Sequence, residues 1–193
     1  MIKQGRPRRA VAALAAAIAI VGAACSADAA DTEAQPSPPT TAAMGHDHSA
    51  STNTGDATAT PAADIEGADL VSGTFATLAD APPSATDISG TADLARHQGT
   101  TVTIMLHGLT PGNNYVSHVH ADSCANNGGP HYQFEVGGGH HPPNEIHLAF
   151  TANDNGMGTM TAENASVADQ TAASVVVHEA IDGSPKLVCA DLS

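Results

Sequence analysis

The sequence predicts an all-β fold, a sandwich or barrel of eight short strands. Three observations carry that expectation. Glycine is frequent, 18 of 193 residues, while aromatic side chains make up only 3% and tryptophan is absent, a composition that suits many turns rather than packed helices. No stretch after residue 64 repeats apolar residues at a helical period. Instead, short alternating runs recur between turn-forming clusters.

The runs can be taken in order. LVSGTFATL (70–78) and DISGTADLA (87–95) alternate polar and apolar positions. TVTIMLHGL (101–109) is rich in β-formers and closes on the turn TPGNN. YVSHVHA (115–121) follows. LAFTA (148–152) and GMGTMTA (156–162) flank the turn NDNG, and SVVVHEA (174–180) and KLVCADL (186–192) complete the set. Between them, residues 122–147 are dense in Gly, Pro, Asn and His and read as one long loop. A loop of that length inside a compact domain is more often functional than accidental.

Ahead of the strands, residues 26–64 contain no Val, Ile, Leu, Phe or Tyr, and Met44 is their only large apolar side chain. Such a segment buries too little to offset its ordering entropy, so a disordered linker is expected, with the folded domain spanning 65–193. Its MGHDHS stretch places Met44, His46 and His48 together as weak copper ligands or as ordinary polar linker residues. Residues 1–25 combine Lys3, Arg6, Arg8 and Arg9 with the apolar run AVAALAAAIAIVGAA ending at Cys25. That is the pattern of a secretory signal, too short and alanine-rich for a good membrane span. IVGAAC resembles a bacterial lipoprotein signal, with Cys25 lipidated. Cleavage at ADA (27–29) is the alternative. Either way the chain is expected to be exported, held to the cell envelope by a lipid or secreted.

All 20 acidic residues lie after Cys25, where only Arg96 and Lys186 are basic, so this part carries 2 − 20 = −18 formal charges. That excludes nucleic-acid binding, which needs clustered Lys and Arg.

The chemistry concentrates in histidine. Seven of 11 histidines fall at 118, 120, 131, 140, 141, 147 and 178. His118 and His120 share one face of a strand, roughly 6.5–7 Å apart, so their imidazoles can converge on one metal. Alone this is a weak signal, because exposed strands often carry polar residues on one face. SVVVHE adds a histidine at the end of an apolar strand, and imidazole suits copper and zinc. With Cys25 lipidated or removed, Cys124 and Cys189 remain. A disulfide is the economical reading in an exported chain, and metal ligation competes with it.

From about residue 69 onward the chain resembles the copper–zinc superoxide dismutases. GLTPGNNYVSHVH is similar to the family's GLTxGxHGFHxH, CANNGGPHYQF to its Cys…GPH stretch, TANDNG to its TAdxdG turn, SVVVHE to its VVHE strand, and PKLVCADL to its xRLACGxI terminus. The resemblance implies an eight-stranded Greek-key β-barrel. It implies copper ligands at His118, His120, His131 and His178, a structural disulfide between Cys124 and Cys189, and Lys186 in place of the arginine that guides superoxide.

The departures resemble the family's copper-only branch. GGGHHPPNEIHLAF (137–150) supplies His140, His141 and His147 but has Ile146 where the zinc-binding aspartate would stand. Only EAIDGSP separates His178 from Lys186, so the long electrostatic loop is missing. Copper is therefore the expected cofactor and zinc is left open. In that branch a carboxylate can orient the former bridging histidine, and Glu145 is the candidate. The expected activity is superoxide disproportionation at a solvent-open copper, with superoxide the substrate. A non-enzymatic copper-buffering lipoprotein on the same fold is the alternative. A complete set of four histidines favours the enzyme, and the sequence leaves the oligomeric state open.

Overall fold

The computed structural model describes residues 54–179 and 185–193. The signal, Cys25, the Met44/His46/His48 group and the short 180–184 connection lie outside the described residues. Within them the chain is an all-β sandwich of two antiparallel sheets, with only three single-turn 3-10 helices. The strands are β1 (Asp69–Thr74), β2 (Ala76–Thr77), β3 (Ser89–Arg96), β4 (Thr100–His107), β5 (Asn114–His120), β6 (His147–Thr151), β7 (Gly158–Asn164), β8 (Ser174–Glu179) and β9 (Lys186–Asp191). One sheet runs β1-β3-β4-β7 and the other β2-β9-β8-β5-β6. The β4–β5 and β7–β8 connections cross between the sheets, as a Greek key requires.

Nine strands stand where eight were expected, because LVSGTFATL does not stay in one sheet. Thr74 pairs with Thr91 in the first sheet, while Ala76 pairs with Cys189 in the second. Phe75 makes the corner and is buried between the layers.

Period-two alternation builds the core. On β4, Val102, Ile104 and Leu106 are fully buried between the sheets, and Met105 is exposed on the outer face. On β5 the inward set is Tyr115, Ser117 and Val119, which leaves His118 and His120 on the outer face. β8 is apolar on both sides. Val175 and Val177 join the main core, while Val176 packs outside with Leu78 and Cys189. An uninterrupted valine run is what a strand buried on both faces requires.

The sheets meet along two seams. At one, Ser72 and Ser193 exchange backbone N–H···O bonds. At the other, a segment from the expected linker lies across the gap. Ala149 N of β6 donates to Thr54 O, and Asp56 N donates to Thr161 O of β7. Ala62 N donates to Thr103 Oγ1, and Ala62 is buried against the outer face of the first sheet. The linker boundary at Asp64 is therefore corrected. Residues 54–64 belong to the packed domain, although their composition is that of a tether. They are ordered by backbone bonds to sheet edges and by one small buried alanine, which hydropathy does not register.

A chain beginning at Ile65 is expected to fold with a Tm roughly 5–10 °C below one beginning at Thr54. It loses three backbone-donated bonds worth about 1 kcal/mol each and the cover over Thr103. Equal Tm values in calorimetry would show that the segment contributes nothing.

Candidate metal centre

The outer face of the second sheet carries the histidines. Directly opposed residues of antiparallel strands share a face, and the register opposes His118 to His147 of β6, Val116 to His178 of β8, and His120 to Ser174. His131 comes from the long loop, which returns to the sheet by a single bridge between His120 and His131. Ala121 N donates to Pro130 O and Tyr132 N to Val119 O on either side of that bridge. One ring nitrogen from each of His118, His120, His131 and His178 lies within 4.8 Å of the others. The four residues named in advance thus converge, and they could hold a metal ion.

Their protonation fits that use. Burial, then the neighbouring His131, His147, His178 and His120, pulls His118 down to about 2. Burial, then His131 and Lys186, takes His120 down to about 3 against the raising effect of its bond to Gly129. Both are therefore neutral imidazoles at physiological pH. Gly129 O can only accept, so His120 Nδ1, 3.1 Å away, carries the proton and Nε2 is left with a lone pair. His120 Nε2 and His118 Nδ1 are both buried with no hydrogen-bond partner. Buried imidazole nitrogens left without a partner are what a metal would satisfy.

Glu145 completes the arrangement. It is only 1% exposed. Its Oε2 accepts from His131 Nδ1 at 2.7 Å and from His147 Nε2 at 3.0 Å. Its Oε1 accepts from Gln133 Nε2 at 2.9 Å and lies 3.2 Å from His140 Nδ1. Burial alone would raise this carboxyl, but the bonds from His147, Gln133 and His131 more than offset it and hold the group at about 2. With Nδ1 of His131 committed to Glu145, Nε2 faces the other histidines. Ile146 is buried in the core. Alternation sends Glu145 and His147 to the site and Ile146 inward, so the residue in the expected aspartate position does not reach the histidines. His131, Glu145 and His147 also lie within 4.8 Å of one another, a second group that could hold a cation. His141 is exposed and stands 6.3 Å from His147 between ring centroids.

The loop over the site is pinned at three points. Cys124 and Cys189 have sulfurs 2.06 Å apart, joining it to β9, so the pairing stands and metal ligation by these cysteines does not. Lys186 Nζ donates to Asn127 O at 2.6 Å and to Gly129 O at 3.1 Å. Gly128 has φ +72°, and a Cβ there would stand 2.7 Å from Val176 Cγ2 and 3.1 Å from His120 Nδ1. Only glycine permits both that backbone conformation and that approach. Gln133, Asn127, Gly128 and Gly129 were not singled out from sequence. Gln133 carried no signal beyond an ordinary loop amide, although the Gly-Gly pair did mark a tight turn.

No family model matches the chain, and no curated protein matches it.

The metal-free protein is expected to lose stability as pH falls below about 6.5. His118 and His120 stay neutral in the native state to about 3 or below, whereas the unfolded chain takes up their protons near 6.5, so the unfolded state binds more protons. Glu145, depressed to about 2, adds to the loss below its ordinary value near 4.5. Urea unfolding at pH 7.5, 6 and 5 should show a falling midpoint with an uptake approaching about two protons. A flat profile would mean that the histidines are not buried as neutral groups.

Proposed function

We propose that the protein is an exported superoxide dismutase that works with copper and does not need zinc. The observation that carries this reading is the convergence of four histidines beside a buried carboxylate that already occupies the outer nitrogen of His131. In a two-metal arrangement that nitrogen would reach the second ion. Here it donates to Glu145. Export rests on the N-terminal sequence alone.

Copper held by His118, His120, His131 and His178 would supply one-electron exchange, taking an electron from one superoxide to release dioxygen and giving it to a second, which leaves as hydrogen peroxide after taking up two protons. The chain's own residues prepare the place. Gly129 O and Glu145 fix which nitrogen of His120 and of His131 is free. Lys186 provides a cation on the loop rim in a region with −18 formal charges. Two of its donors are engaged by carbonyls, which holds the ammonium in one place. Charges more than about 8–10 Å apart are largely screened at physiological salt, so a nearby lysine outweighs a more remote negative excess in attracting a small anion.

Metal analysis and a superoxide-decay assay on the mature protein test the reading. Protein loaded with copper alone should match protein given copper and zinc. His120→Ala should abolish tight copper binding and activity together. Copper binding at one equivalent with no superoxide decay would favour the non-enzymatic copper-binding module instead, and a stoichiometric requirement for zinc would overturn the copper-only assignment.

Lys186→Gln keeps a donor for the carbonyls and removes the charge. The bimolecular rate should drop several-fold and lose its slowing with added salt. An unchanged salt dependence would show that attraction comes from elsewhere.

A further inference from the structure

The 165–173 connection between β7 and β8 is held at both ends. At the far end, Arg96, 8% exposed on β3, donates from Nε to Ala168 O at 2.9 Å and from Nη2 to Asp169 O at 3.3 Å. Thr100 Oγ1 donates to Ser166 O at 2.7 Å and accepts from Ala168 N at 2.7 Å. At the near end, Ala173 N donates to His120 O. Between these points Asp169 N donates to the hydroxyl oxygen of Tyr132 at 3.2 Å.

Tyr132 is 4% exposed, and its ring packs edge-on against Phe134. It follows His131 directly, so it is the anchor by which the chain plugs into the core immediately after the histidine turns outward. The loop continues from it to Glu145, with few ties to the sheet along the way. The backbone carrying His131 therefore depends on where the Tyr132 ring sits, and that ring is fixed at its tip by an amide whose own carbonyl is gripped by a buried arginine.

We propose that Tyr132 is a positioning residue for His131, and that Arg96, on the opposite sheet, sets its position through the 168–169 backbone. This deepens the proposed metal site and rests on His131 being a ligand. The relay runs from the guanidinium to Asp169 O, through that residue's N–H to the Tyr132 hydroxyl, and through the ring to the His131 backbone. The outcome is a fixed distance between His131 and Glu145 and a fixed aim of its second nitrogen toward His118, His120 and His178.

Tyr132→Phe tests it in the full chain, because the ring and its packing are kept and one acceptor is deleted. Two readouts are needed. In metal-free protein, the His131 ring N–H resonance, held downfield by Glu145, should shift upfield or exchange faster with water in the variant. In copper-loaded protein, the Cu(II) electron paramagnetic resonance spectrum should change and the copper dissociation constant should rise about three- to tenfold, at or just below the roughly 10–100-fold range for direct outer-shell partners, because Tyr132 acts one step further out. Arg96→Lys should give the same displaced resonance, and the double variant should shift it no further than either single one. A Tyr132→Phe protein that is less thermostable yet has the wild-type resonance and spectrum would overturn the proposal and leave a purely structural tyrosine. If the wild-type protein bound no copper while the resonance still moved, the relay would stand and the metal assignment would fall.

Discussion

A buried imidazole cannot keep a charge without a partner, and a neutral one has one donor and one acceptor to satisfy. Packing several together on the outer face of a sheet is therefore a strong constraint. His120 and His131 meet it alike, each giving its N–H to an oxygen that cannot donate, Gly129 O and Glu145 Oε2. The other nitrogens of these two rings then share one small region with ring nitrogens of His118 and His178. Removing Glu145's charge would leave His131 free to turn its ring over, and adding a proton to His118 or His120 would be opposed by burial and by the neighbouring histidines. The placement of the ring nitrogens is thus set by the protein alone, which would lower the ordering cost of holding an ion there.

That face would be wet in an ordinary two-layer sandwich, and covering it requires the 121–146 loop to stay down. The loop is long and mostly polar, and its apolar hold on the core comes mainly from Tyr132, Phe134 and Ile146. The Cys124–Cys189 link spans 65 residues, and the chain-entropy model assigns a closure of that size about 4 kcal/mol. Gly128 lets the backbone approach Val176 and His120 closely enough to place the Gly129 carbonyl. The disulfide and the glycine act differently. The first limits how far the loop departs, and the second decides where its polar groups land.

Much of this was readable from sequence, and what was not has identifiable causes. β4, β5 and β8 announce themselves because alternation or an unbroken valine run matches their burial. The convergence of His118, His120, His131 and His178 came from motif order, not spacing, since 58 residues separate His120 from His178. Glu145 could be named because the resemblance puts Ile146 where a zinc-binding aspartate would stand and leaves Glu145 as the carboxylate beside it. Residues 54–64 were misjudged since their order comes from backbone bonds that composition does not encode. The break at Phe75 was missed for a similar reason. A chain that changes sheet without a turn residue keeps the hydropathy of a single strand.

The use of positive charge shows the same economy. Beyond Cys25 there are two cations against 20 acids, and neither is spent on a surface ion pair with good geometry. Arg96 lies 3.5 Å from Asp69, but its short bonds go to carbonyl oxygens of the 165–173 connection. Lys186 also donates to carbonyls, on the loop that holds His120 and His131. A carbonyl is a cheaper partner than a carboxylate here. It leaves the formal charge uncompensated, so the cation can still act on an anion nearby, while the directional bond fixes backbone that has no strand to belong to. An exposed Lys–Glu pair in either place would be worth little and would cancel the local field. Both cations are thus placed where irregular backbone must be held in register with the sheet that carries the histidine cluster.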